Sequence, residues 1–133
     1  MALECAILGD SIAVGVAQHQ KYCYRDAIVG INSHNFAKRI TTINADHVLI
    51  SLGSNDSAKT NTDWHLLQIR ASVAADTVTW LLSANNASAH AAAKKVAEMF
   101  HDRVIEVKPF VGYDGVHSTI TGYRSIADLW LKK

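Results

Sequence analysis

Apolar and polar positions along this chain follow two alternating rhythms. Five short runs are apolar at nearly every position: Glu4–Leu8, Arg25–Val29, His47–Ser51, Thr77–Leu82 and Arg103–Val107. Rich in Val, Ile and Leu, they have the pattern of strands covered on both faces. Between them lie stretches predicted as helices: Ser11–Gln20, Ser33–Ile40, Asp63–Ala75, Ala87–His101 and Thr119–Leu131. In the third, Trp64, Leu67, Ala71 and Ala74-Ala75 recur at helical spacing, and in the last Ile120, Tyr123, Ile126-Ala127 and Trp130 do the same. Ser33, Asp63 and Ser118 are the expected N-caps. Strand and helix alternating over so short a chain predict a parallel sheet between two helical layers. Ligands of such sheets bind beyond the carboxyl ends of the strands.

The polar motifs fall at those ends. Gly9-Asp10-Ser11 follows the first strand, Gly30 the second, Gly53-Ser54-Asn55-Asp56 the third, and Asp114-Gly115-Val116-His117 the fifth. Ser11 at a strand-to-helix turn suits a nucleophile, because a helix N-terminus offers free N–H groups and partial positive charge to a developing oxyanion. It equally suits a helix cap. Phosphate binding uses the same geometry, but neither GxGxxG nor a Walker lysine is present. Asp114 and His117, three apart, are placed for a carboxylate to fix the tautomer of an imidazole whose other nitrogen takes a proton; an ordinary loop hydrogen bond gives the same spacing. Asn55 offers a side-chain amide and Gly30 a backbone N–H to an oxyanion, or they form an Asx-turn and a simple turn. Asp10, Asn85 and Tyr113 are the candidates for substrate contact.

Composition narrows the partners. The chain has 133 residues, 49% of them hydrophobic and 19% charged, with a formal net charge of +1. That is the size of one domain, 1–133, with a real core. Lys and Arg are scattered singly or in the pairs Lys38-Arg39, Lys94-Lys95 and Lys132-Lys133, so no basic face points to nucleic acid. No apolar run approaches the roughly 20 residues of a membrane helix. Met1–Leu8 carries Glu4 where a secretory leader would be basic and runs straight into the first motif, so it is read as the first strand. The absence of a leader gives the cytoplasm as the default location, with a phage-encoded or released protein as the other setting. Cys5 and Cys23 are expected as buried, reduced thiols. His19, His34, His47, His65, His90 and His101 show no metal-binding spacing, so neither a metal nor another cofactor is expected.

Taken together, the four motifs resemble those of the SGNH hydrolase superfamily, the GDSL-type esterases and lipases, from Ala6 to Leu131. Thr121-Gly122-Tyr123-Arg124 is similar to the Gly-Tyr that usually follows the family's final histidine. The resemblance implies a flavodoxin-like three-layer α/β/α sandwich of about five parallel strands. It implies Ser11 as nucleophile and first oxyanion donor, Gly30 and Asn55 as the other donors, and Asp114 and His117 as the rest of a triad. It also implies an esterase acting on small acyl esters, acetyl above all, of a small molecule or a glycan. A thioesterase or acyl transferase would use the same groups, and a non-catalytic binding module would keep the fold alone. The chain departs from the family in Ser11-Ile12-Ala13, where Leu usually follows the serine, and in Ser118, where proline usually follows the histidine. Short inter-motif segments leave no room for a lid, so an open groove is expected.

Overall fold

The apolar runs become one five-stranded parallel sheet in this computed structural model, which describes residues 2–131; Met1 and the Lys132-Lys133 pair lie outside the described residues. The strands are β1 (Leu3–Gly9), β2 (Tyr24–Ala27), β3 (Ile43–Ser51), β4 (Val73–Leu82) and β5 (Arg103–Glu106), in the order β2-β1-β3-β4-β5. That order is the doubly wound, flavodoxin-like one. The helices are α1 (Ser11–Ala17), α2 (Ser33–Arg39), α3 (Thr62–Ala71), α4 (Ala87–Phe100) and α5 (Ile120–Trp130), with a short 3₁₀ turn at Lys108–Phe110 around Pro109.

Alternate residues of the central strands point to opposite faces, and each face builds its own core. Leu8, Val48, Ile50, Val78 and Trp80 meet Phe36 of α2, Leu66 and Ile69 of α3, and the alanines of α4. Ile7, Leu49 and Leu81 on the other face meet Ile12 and Val16 of α1 and Ile126, Ala127 and Trp130 of α5. The result is three helices on one side and two on the other. No helix of the described residues is long and apolar enough to cross a membrane.

Several boundaries differ from expectation. β3 and β4 each begin four residues earlier than the uniform apolar pattern predicts, at Ile43 and Val73. There Ile43–Ala45 pairs with Val73–Ala75, with exposed and covered positions interleaved before every position becomes buried. Ala74-Ala75 therefore belong to β4 rather than to the helix whose spacing they mimic. The caps shift as well. Asn32 caps α2 through Asn35 N at 2.8 Å, and Thr119 caps α5 through Gly122 N at 3.0 Å, while Asn61 precedes α3 without a side-chain cap bond. Ser33, Asp63 and Ser118 are thus not N-caps; Ser33 and Asp63 are already helical.

The cysteines also correct the sequence reading. Cys5 and Cys23 are joined in a disulfide with their Cα atoms 4.8 Å apart, so no free thiol remains. The cause is register. Ala6 pairs with Tyr24, so the residues one step earlier face each other across the same strand spacing.

Candidate active site

All four motifs stand on the carboxyl edge of the sheet, and each glycine and acid has a local reason. Gly9 has φ +139°, and a Cβ there would lie 1.9 Å from the Ser51 carbonyl oxygen. Only glycine allows β1 to turn this close to β3. Asp10 then caps α1. Its Oδ1 accepts from Ile12 N at 3.1 Å and Ser51 Oγ at 3.0 Å, while its N–H donates to Ser51 O at 2.9 Å. Asp10 is fully buried and its Oδ2 has no partner. Burial pushes its carboxyl up to about 6, against the opposing pull of the Ser51 hydroxyl and the helix N–H groups. Expected as a substrate contact, Asp10 is sealed behind Ser11 instead, holding the turn that presents it.

Ser11 opens α1 with its side chain facing the loop after β5. That loop folds back on itself: Val111 and Ser118 form an antiparallel bridge, and Gly112 N donates to His117 O at 2.8 Å. Gly115, with φ +69°, makes the tight turn between Asp114 and His117. Asp114 Oδ1 accepts from Val116 N and His117 N, both at 2.9 Å, and its Oδ2 lies 2.9 Å from His117 Nδ1. The Val116 N–H, then the imidazole and the His117 N–H, hold the Asp114 carboxyl down at about 2. A carboxylate there accepts only, so the proton sits on Nδ1 and Nε2 is left as an acceptor. Ser11 Oγ lies 2.9 Å from that Nε2 and donates to it. This chain of contacts is equipped to draw the proton from a serine hydroxyl as it attacks a carbonyl.

Gly30 and Asn55 flank the serine from β2 and β3, the two strands beside β1. Gly30 has φ +83° and is exposed. Among the described residues neither its N–H nor that of Ser11 donates to a protein acceptor. Asn55 spends one Nδ2 hydrogen on Ile31 O at 3.0 Å, which ties it to the Gly30 loop and leaves the other free. Asp56 fastens this corner by accepting from Ser33 N at 2.8 Å and Thr62 Oγ1 at 2.7 Å.

The substrate candidates separate. Asn85 is exposed after β4, its Oδ1 accepting from Ser83 Oγ at 2.9 Å. Tyr113 is fully exposed beside Asp114. Phe110 packs on the core of the two-helix face. Two contributors escaped the sequence reading. Ser51, the lone hydroxyl ending an apolar strand, is the partner of Asp10. Gly15 leaves space that the Tyr123 ring fills, a Cβ there lying 2.4 Å from the ring. That contact packs α1, which starts at the serine, against α5, which starts just after the histidine.

No protein-family model matches the chain, and no curated protein matches it. Solved structures do. A GDSL-like lipase from Bacteroides thetaiotaomicron aligns over 97% of this chain and 85% of its own, with TM-score 0.71 and 17% identity. The catalytic domain of peptidoglycan O-acetyltransferase A from Streptococcus pneumoniae aligns over 96% and 90%, with TM-score 0.64 and 16% identity. The chain has the fold of these GDSL-like and O-acetyltransferase structures. A carbohydrate acetylesterase from Sinorhizobium meliloti shares this fold over 95% of this chain and 97% of its own, with TM-score 0.60 and 11% identity. By name these three are a GDSL-like lipase, an O-acetyltransferase and a carbohydrate acetylesterase.

Proposed function

We propose that the protein is a serine esterase that releases small acyl groups, acetyl in the first place, from glycan or small-molecule esters. One observation carries this: Ser11 Oγ, His117 and Asp114 stand in an unbroken line with 2.9 Å at each step. Ser11 attacks the ester carbonyl as its proton passes to His117 Nε2. The N–H groups of Ser11 and Gly30 and the free Nδ2 hydrogen of Asn55 are the donors for the oxyanion that forms. His117 returns the proton to the leaving alcohol, the acyl group stays on Ser11, and water attacks it by the same route in reverse. Asp114, its carboxyl held down at about 2 and so ionised near neutral pH, keeps the imidazole in the working tautomer.

The short loops at the sheet edge support a preference for small acyl groups. Among the proteins sharing the fold, a carbohydrate acetylesterase and a peptidoglycan O-acetyltransferase favour acetyl chemistry on glycans, and the second favours transfer to another alcohol as the alternative fate of the acyl group. The Cys5–Cys23 bond supports an oxidising setting in place of the cytoplasm.

The test is hydrolysis of p-nitrophenyl esters from acetyl to decanoyl by the wild type and Ser11→Ala. Activity that is greatest on acetyl and lost in the variant is expected. Equal rates for the two proteins would sink the esterase reading.

A further inference from the structure

A cleft of about 350 Å³ opens where β4 and β5 end, between the start of α4 and the 3₁₀ turn. Its lining is polar: Ser83, Asn85, His90, Glu106 and Lys108. Other clefts have other characters. One between α3 and α4 is walled by Trp64, Leu67, Val96 and Met99, and two, beside the disulfide and around Asp102, lie at the opposite edge of the sheet.

Hydrogen bonds connect the polar cleft to the catalytic corner. Ser83 Oγ in its floor lies 3.1 Å from Ser54 Oγ, and Ser54 is the residue before Asn55. Asn85 Nδ2 reaches Ser54 O only at 3.5 Å, so its donors remain largely available. His90 Nε2 lies 2.8 and 3.1 Å from the two Glu106 oxygens, but the Glu106 side chain is half exposed and keeps free lone pairs. Lys108 is exposed, and among the described residues it has no carboxylate within ion-pair distance. The cleft therefore presents amide and ammonium donors and a carboxylate acceptor, with the opposite charges of Lys108 and Glu106 offsetting. That set matches a neutral, polyhydroxylated ligand. It suits neither an acyl chain nor a polyanion.

Position then decides which part of a substrate it takes. Ser11 stands at the end of β1, and the cleft lies two and three strands away across the sheet. At about 4.8 Å per strand this is roughly 10–14 Å, beyond the reach of the sugar ring whose ester Ser11 attacks. We infer that the cleft between Asn85, Glu106 and Lys108 is a subsite for the neighbouring sugar of an oligosaccharide, so that the enzyme prefers an acylated chain to an acylated monosaccharide. This rests on the esterase reading above.

The experiment compares mono-O-acetylated methyl glycosides with mono-O-acetylated tetrasaccharides of glucose, xylose and N-acetylglucosamine. The proteins are wild type, Lys108→Ala and Glu106→Ala/Lys108→Ala, each first checked for cooperative thermal unfolding. The quantity read is the ratio of kcat/KM for tetramer over monomer. In the wild type at least one sugar should give a ratio of about ten, the yield of one or two net hydrogen bonds. The ratio should fall toward one in the double variant and partway in Lys108→Ala, which covers any failure of the double variant to fold. A wild-type ratio near one for all three sugars overturns the subsite, as does a preference that survives both variants. Release of acetate from p-nitrophenyl acetate but from no sugar overturns it too. Loss of the esterase reading is seen separately, as Ser11→Ala matching the wild type on p-nitrophenyl acetate.

Discussion

The two faces of the sheet are built for different tasks. On one, α2, α3 and α4 cover the larger apolar cluster, which includes Phe36, Leu66, Ile69 and Trp80, all without exposed surface. On the other, α1 and α5 cover a smaller cluster, and these two helices adjoin the Ser11–His117 pair. Ser11 begins α1, and His117 lies three residues before the start of α5. The distance between Ser11 and His117 thus follows how α1 meets α5, where the Tyr123 ring lies on Gly15. The three-helix face provides stability, and the two-helix face provides alignment.

Substitutions on each face sharpen that contrast. Ser11→Ala should reduce turnover by ~10⁴-fold or more while leaving the melting temperature near that of the wild type, since a small, half-buried hydroxyl is lost. Asn55→Ala should lower kcat by roughly 10²-fold with KM little changed; an effect on KM alone would make Asn55 an ordinary binding group. Tyr123→Ala should let α1 and α5 shift, lowering kcat by about 10-fold or more, because small misplacements of reacting groups are costly. Tyr123→Phe, which keeps the ring, should restore most of that rate. Leu66→Ala on the opposite face should behave inversely, losing about 2–5 kcal/mol of stability with unchanged kcat per folded molecule. Comparable kcat losses from Tyr123→Ala and Leu66→Ala would erase the distinction between the faces.

The smallest expected effect concerns Asp10. Its carboxyl titrates near 3.8 when unfolded and at about 6 in the folded protein, so the folded state binds the proton more tightly. The stability this gives is full below pH 3.8 and is lost as pH rises through about 6. Asp10→Asn should remove that dependence. The melting temperature of the variant relative to wild type should climb from pH 4 to pH 7. A constant difference over that range would show that Asp10 is ionised throughout.

Much of this was legible in the order of residues. The apolar halves of β1, β3 and β4 announced themselves, but β2 and β5, expected to be covered on both faces, are edge strands and largely exposed. Where β3 and β4 begin, covered and exposed positions alternate, and Ala74-Ala75 fit a helical period as well as a strand. Asp10 was misread because a carboxylate beside a nucleophile looks like a binding group in one dimension. Only the approach of β1 to Ser51 shows that it is enclosed. The polar cleft was legible in Asn85 alone, because His90, Glu106 and Lys108 come from different elements. The disulfide was hidden for a related reason: a separation of 18 residues says nothing of distance until β1 and β2 are known to pair.

That bond lies beneath the face that carries the serine, joining β1 to the chain just before β2. Closing a loop of this length strengthens a fold by about 3 kcal/mol, chiefly by restricting the unfolded chain. The protein accordingly has two endurances. Among reducing thiols it is the less robust form. Once oxidised it keeps the helix that begins at Ser11 anchored through heat and dilution.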